Sequence, residues 1–273
     1  MRLYAISDIH TGLEDNMKAI EELSMDHAAG LILAGDVNET VEGLVRTLRA
    51  LKRNFAPIFW VPGNHELWTV DPSPRAARGD AKYREMVEAC RSEGVITPED
   101  PVYVWKSGAQ SYGIVPLFLL YDYSFKPPEI SLENAVHWAS LAEIVCADEH
   151  LLHPDPFASR QAWCASRCED ALKKLASIPR DLPLVLINHF PLRGELVNLP
   201  RIPHFRIWCG TERTENWHTR FNVKAVVYGH LHMRTSRVID GVRFEEVSLG
   251  YTRQWTAARG LRSYLREILP EAA

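Results

Sequence analysis

The chain predicts an α/β fold, and three observations carry that prediction. A β-α-β-α-β rhythm fills its first third, five strand-like runs each end in a residue able to ligate a metal, and a hairpin signal stands near the C-terminus. In open α/β sheets ligands bind beyond the carboxyl ends of the strands. Five such ends, all carrying oxygen or imidazole donors, predict one site gathered from across the fold, with metal in it.

The first run, Leu3 to Ser7, delivers Asp8 and His10. Thr11 with Glu14 three positions later reads as a capping box, opening a helix on which Met17, Ile20 and Leu23 recur at helical spacing toward Ala29-Gly30. Leu31 to Ala34 delivers Gly35-Asp36. Val41, Leu44, Val45, Leu48 and Leu51 form one apolar stripe and predict the second helix. Ile58 to Val61 delivers Gly63-Asn64-His65-Glu66, where the chain must turn tightly after Pro62.

Asp71-Pro72-Ser73-Pro74 is a loop signal, Ala81 to Arg91 reads as a helix, and Val102 to Trp105 and Tyr112 to Leu120 read as strands. After Pro127-Pro128, Leu132 to Leu152 reads as a helix with Trp138, Leu141 and Val145 on one face, and Gln161 to Ile178 as another. Leu184 to Ile187 delivers Asn188-His189, and Ala225 to Tyr228 delivers Gly229-His230-Leu231-His232. Thr235 to Ile239 and Val242 to Ser248 flank Asp240-Gly241, the hairpin signal. Residues 1–273 are expected to form a single domain, with a helical elaboration around 129–178. The stretch 190–222 is long for a plain connection and carries Arg193, Arg201, Arg206, Arg213 and Arg220 with Trp208 and Trp217. Beside a metal site it reads as a substrate lid, its tryptophans suited to stacking on a base or sugar.

With 46% hydrophobic and 24% charged residues over 273 positions, the composition is that of an ordinary globular protein. A net charge of −4 argues against binding of long nucleic acid. Five irregularly spaced cysteines read as reduced thiols. Cys164 and Cys168 are expected on one helix face as buried structural residues. No apolar leader follows Met1-Arg2 and no run approaches the ~18 apolar residues of a membrane span, so a cytoplasmic protein is expected.

The blocks Asp8-Ile9-His10, Gly35-Asp36, Gly63-Asn64-His65-Glu66, His189 and Gly229-His230-Leu231-His232 resemble, in content and order, the calcineurin-like metallophosphoesterase superfamily. The resemblance implies a four-layer α/β/β/α metallophosphoesterase sandwich of two mixed β-sheets flanked by helices. It places Asp8, His10, Asp36 and His232 on one metal and Asp36, Asn64, His189 and His230 on the other, with Asp36 bridging. Mixed nitrogen and oxygen donors suit two divalent transition-metal ions, manganese first and iron, zinc or nickel after it, better than calcium. By the same resemblance His65 stabilises the transition state or protonates the leaving oxygen, while a metal-bridging hydroxide attacks phosphorus.

Phosphoprotein phosphatases of the superfamily follow Gly-Asp with a further Asp, Arg and Gly. Here Val37-Asn38-Glu39-Thr40 follows, so Glu39 is the candidate to orient His65 and Thr40 replaces the arginine that grips phosphate. Arg193, four residues past His189, becomes the candidate clamp. Glu66 reads as a partner of the ligands and not a ligand. His27, His137, His150 and His153 have no ligand-like setting, whereas His204 and His218 fall in the lid and could approach substrate. The expected activity is hydrolysis of a phosphate monoester of a small or nucleotide-like molecule. The alternative is a phosphodiesterase or pyrophosphohydrolase acting on a cyclic nucleotide or nucleotide-linked substrate. A catalytically silent binding scaffold is disfavoured, because every ligand position and His65 are intact.

Overall fold

A computed structural model describes residues 1–25 and 27–270. In chain order the elements are β1 (Arg2–Ile6), α1 (Glu14–Glu22), β2 (Ala29–Leu33), α2 (Val41–Leu51), β3 (Phe55–Trp60), α3 (Asn64–Leu67), α4 (Gly79–Ser92), β4 (Tyr103–Ser107) and β5 (Gln110–Pro116). There follow α5 (Ala135–Leu141), α6 (Asp148–Leu151), α7 (Arg160–Ala176), β6 (Leu184–Ile187), α8 (Trp217–Arg220), β7 (Val223–Tyr228), β8 (Thr235–Ile239), β9 (Val242–Glu246) and β10 (Arg266–Leu269). One sheet has the order β10-β1-β2-β3 and the other β4-β5-β6-β7-β9-β8. β1, β2 and β3 run parallel, as do β5, β6, β7 and β9, while β10, β4 and β8 are antiparallel edges.

Side-chain alternation turns these sheets into four layers. Leu3 and Ala5, Ile32 and Ala34, Phe59, Val185 and Ile187, and Ala225 and Val227 meet between the sheets around Trp105 and Ile268. Their neighbours Tyr4 and Ile6, Leu31 and Leu33, Ile58 and Trp60, Leu184 and Leu186, and Val226 and Tyr228 join the outer cores that the helices cover. Strands buried on both faces must be apolar at every position. That is why they read as continuous runs in the sequence. The α/β sandwich with two mixed sheets is therefore as expected.

Differences from the sequence reading have local causes. Thr11 does not cap α1; its buried hydroxyl donates to Val37 O at 2.9 Å and lies 2.8 Å from Thr47 Oγ1, tying the loop after β1 to α2. Leu13 takes the N-cap position without a side-chain bond. Ala29 and Gly30 belong to β2, not to the end of a helix. The helix expected over Leu132 to Leu152 is broken into α5 and α6, and Leu141 and Val145 are 73% and 77% exposed instead of lining an apolar face. The hairpin forms as read, with Asp240 and Gly241 at φ 52° and 78°, the pair of positive values that a type I′ turn needs. All five cysteines are free and buried. Among the described residues no helix is long and apolar enough to cross a membrane.

Gly30 sets the spacing of the two sheets. A Cβ at this position would stand 2.6 Å from Trp105 Cη2 and 3.1 Å from Leu3 Cδ1, closer than packed carbons tolerate. Gly30→Ala is expected to destabilise the fold by about 1–3 kcal/mol, the usual penalty of overpacking. An unchanged urea midpoint for this variant would show that Trp105 moves freely and that the spacing is set elsewhere.

Candidate metal centre

The five expected strand ends converge. Loops after β1, β2, β3, β6 and β7 meet at one edge of the sandwich, where main-chain bonds continue the ladders past the strands. Asp8 N donates to Gly35 O at 2.9 Å, His10 N to Asp36 O at 3.0 Å, and Gly229 N to His189 O at 2.9 Å. Ser7 N donates to Val247 O at 3.1 Å and Leu249 N to Ser7 O at 2.8 Å, joining the two sheets at this edge. Glu66 is fully buried and clasps two loops: Oε2 accepts from Asp36 N (2.9 Å) and Gly63 N (2.8 Å), and Oε1 from Val37 N (2.6 Å). That assigns Glu66 to holding the ligand loops, as the sequence suggested.

The approach is close enough to require strain and missing side chains. Asp8, His10, Asp36, His230 and His232 all have φ between 39° and 70°. Such left-handed backbone is costly for residues other than glycine and persists where surrounding structure enforces it. A Cβ on Gly63 would collide with Asp36 Oδ1, and one on Gly229 with Asp8 Oδ2.

The donors face one another across a few ångströms. His232 Nε2 lies 3.0 Å from Asp8 Oδ1 and 3.3 Å from His10 Nε2; His189 Nε2 lies 3.5 Å from Asp36 Oδ2. Asp8, His10 and His232 form one group whose ligand atoms all lie within 4.8 Å, and Asp8, Asp36 and His189 form another. Asp8 Oδ1, Asn64 Oδ1, His189 Nε2 and His230 Nε2 are buried without an aligned hydrogen bond. Buried polar atoms are seldom left so. All four belong to residues that the sequence nominated as ligands, so the donor set fits a pair of cations.

Charge points the same way. Burial, reinforced by Asp8 and Glu66, pushes the Asp36 carboxyl well above its ordinary range. Burial works against the charge of Asp8 too, but His232, His189 and His10 around it hold the carboxyl well below the usual value. Burial, then His65, lowers His10 to about 3, and burial likewise lowers His189 and His230. Burial opposes the charge on His232, yet Asp8 raises it to about 9. The neutral imidazoles of His10, His189 and His230 beside crowded carboxylates call for added positive charge, which divalent ions supply.

Each donor is aimed by a partner behind it. His189 Nδ1 faces Ala34 O at 2.9 Å, which puts the proton on Nδ1 and the lone pair on Nε2. Gln254 Oε1 does the same for His232 Nδ1 at 2.8 Å. Asp8 Oδ2 accepts from Ser7 Oγ (2.5 Å), Ser248 Oγ (2.8 Å) and His230 N (3.1 Å), leaving Oδ1 for the centre. Asn64 Nδ2 donates to Asp148 Oδ1 at 3.0 Å, which turns the amide oxygen inward. Asp148 also accepts from Trp68 Nε1 (2.7 Å) and Tyr121 OH (3.0 Å). Asp148, Gln254 and Ser248 were missed from sequence. They sit in no motif, and only the burial of an acid in the apolar stretch around Cys146 could have drawn attention to Asp148.

His65 and Glu39 form the expected pair. His65 Nδ1 lies 2.7 Å from Glu39 Oε1, and its Nε2 is 3.9 Å from Asp36 Oδ2. Burial alone would raise Glu39, but its bond to His65 takes the carboxyl below its usual value. An ionised carboxylate can only accept, so Nδ1 carries hydrogen and Nε2 faces the centre.

Other candidates are placed elsewhere. Arg193 is held by Glu195 at 2.5 Å, Glu215 at 3.8 Å and Asp240 at 3.9 Å, and does not line the cleft over the donors. A guanidinium among three carboxylates is already neutralised. His218 is buried against Asp240 (2.9 Å), and His204 packs on Trp138 with ring centres 4.0 Å apart. Trp208 and Trp217 are buried, so neither can stack on a substrate. The cleft itself, about 340 Å³, has Asp36, Asn64, His65, His230 and His232 on its floor and Trp68, Val145, Leu199, Ile202, Phe205 and Tyr251 around its rim.

Residues 1–234 match the family model described as calcineurin-like phosphoesterase. The [acyl-carrier-protein] phosphodiesterase PptH of Mycobacterium tuberculosis is 44% identical over 271 residues, which cover 98% of this chain and 83% of that protein. The crystal structure of phosphopantetheinyl hydrolase (PptH) from the same organism is similar with a TM-score of 0.93, covering 99% of this chain and 96% of the other.

If Asp148 sets the Asn64 amide, Asp148→Ala should weaken binding at one of two metal positions by about 10–100-fold, the usual effect of losing a group that orients a ligand. Metal titration by calorimetry checks this against a second site that keeps its affinity. Two unaltered sites would remove Asp148 from ligand positioning.

Proposed function

The chain belongs to the calcineurin-like phosphoesterase family and is a metal-dependent phosphoric ester hydrolase; from that premise we propose that its substrate is a phosphodiester, the one joining a phosphopantetheinyl arm to an acyl carrier protein. The observation that carries this reading is the end-to-end similarity to PptH. It supports the diester alternative over the monoester first expected, and a protein substrate over a small nucleotide-like one.

The cleft supplies a physical reason. Among the described residues lining it there is no lysine or arginine. A phosphate monoester carries about −1.5 to −2 near neutrality, its second pKa being near 6. A diester carries a single charge and needs no cationic side chain beyond the metal centre. The apolar rim of Trp68, Val145, Leu199, Ile202 and Phe205 suits an uncharged organic arm.

In this reading Asp8, His10, Asp36 and His232 hold one ion and Asp36, Asn64, His189 and His230 the other, manganese being the expected metal. When bound, the two ions supply the positive field and acidified water that attack at phosphorus requires. The chain's own residues do the remainder. Gln254, Ala34 O, Asp148 and the serines around Asp8 keep the donors in fixed orientations. Glu39 fixes the His65 tautomer, and His65 Nε2 delivers a proton to the departing alkoxide.

The manganese-loaded protein is expected to prefer bis-p-nitrophenyl phosphate over p-nitrophenyl phosphate and to release phosphopantetheine from a holo carrier protein. Preference for the monoester, with no release from the carrier protein, would sink this reading. His65→Asn should lower diester turnover by about 10²–10⁴, the worth of a general acid, with metal content unchanged by elemental analysis. Full turnover in that variant would remove His65 from the proton transfer.

A further inference from the structure

A second cleft, about 760 Å³, adjoins the metal cleft across Leu231, which lines both. Its walls include Arg206, Arg234, Arg237 and Met233. In a chain of net charge −4 these three guanidiniums share one lining carboxylate, Glu195, which is already spent on Arg193 at 2.5 Å. Arg234 is consumed structurally, donating to Val247 O, Ser248 O and Tyr264 O. Arg237 gives one bond, to Glu195 O at 2.9 Å. Arg206 has no ion pair among the described residues, and its buried Nε has no partner. The buried or half-buried arginines Arg160 and Arg167 elsewhere in the fold are each matched, with Glu149 and Glu99.

Part of the exposed apolar surface of the chain lies at the same place. Val145 (77% exposed), Ile202 (39%) and Tyr251 (36%) stand at the mouth of the metal cleft and Met233 (41%) in the arginine cleft. Exposed apolar side chains grouped with arginine are the composition of a protein-binding face. A small nucleotide phosphate would satisfy the arginines but leave this rim bare.

We propose that the Arg206–Arg237 cleft is a docking surface for the protein substrate, taking carboxylates from its surface while the phosphodiester enters the metal cleft alongside. The inference rests on the carrier-protein reading given above. The two guanidiniums act as unpaired cations that steer an acidic partner in and fix its register, and the apolar rim closes over the contact. Neither arginine touches the reacting atoms, so the effect belongs to binding and not to the chemical step.

The test compares the manganese-loaded wild type with the double variant R206E/R237E on two substrates, a holo carrier protein and bis-p-nitrophenyl phosphate. The expected result is a KM for the carrier protein raised about tenfold or more, with a weaker dependence of kcat/KM on salt, as loss of a charged docking contact requires. Hydrolysis of bis-p-nitrophenyl phosphate should stay at the wild-type level, which also shows that the variant is folded and metal-loaded. An unchanged KM for the carrier protein overturns the docking surface. So does an equal loss on both substrates, which would make the cleft part of the small-ester site. If the wild type itself leaves the carrier protein intact, the substrate reading fails, and the docking surface falls with it.

Discussion

Asp8, Asp36 and Glu66 are among the carboxylates buried at one edge of the sandwich, and keeping them there is the constraint on which the rest depends. A carboxylate removed from water is strongly disfavoured unless it is paired or hydrogen-bonded. Glu66 solves this with main-chain N–H groups from the loops after β2 and β3. Asp8 solves it with two serine hydroxyls, His230 N and a facing imidazole. Asp36 accepts from His65 N at 3.0 Å and otherwise faces the other donors, which leaves it the group with most to gain from a dication.

The same constraint explains the backbone. Oxygen and imidazole donors from five strands reach one small volume only if the loops carrying them touch. Gly63 and Gly229 stand where a side chain would strike an aspartate, and five of the candidate ligands accept a left-handed φ. Local strain is tolerated because a double-faced apolar core behind it, filled by Leu3, Ile32, Phe59, Val185 and Val227 among others, holds the strands in register. Stability and site geometry are thus coupled: the core supplies what the loops spend.

Around this rigid centre the middle of the chain contributes orientation and access. Asp148 reaches in from the helical elaboration to turn Asn64, so that region is not a detached appendage. Glu149 next to it accepts from Tyr123 OH (2.8 Å) and Trp208 Nε1 (2.7 Å) and pairs with Arg160 at 3.0 Å. That knot binds the elaboration to the stretch expected as a lid. It also buries Trp208, which is why a tryptophan in that stretch serves packing and not the substrate.

The sequence by itself determined every described strand but β10, the hairpin at Asp240-Gly241 and the donor residues that converge at the strand ends, for a physical reason common to all three. Each is written in short-range pattern: unbroken apolar runs for strands buried on both faces, a turn dipeptide that takes positive φ, and donor residues at strand ends. Glu39 was also legible, being three residues past Asp36 on the loop that faces His65. Only the tertiary structure decided which groups stand behind the ligands. Asp148 lies 84 positions from Asn64 and Gln254 lies 22 from His232, distances over which no periodicity speaks. It likewise decided the fate of the arginines. Arg193 was drawn off by its near neighbour Glu195 and by Glu215 and Asp240 from other segments, while Arg206 met no carboxylate among the described residues, and a charge's partners depend on what the fold brings near it as well as on its neighbours in the chain.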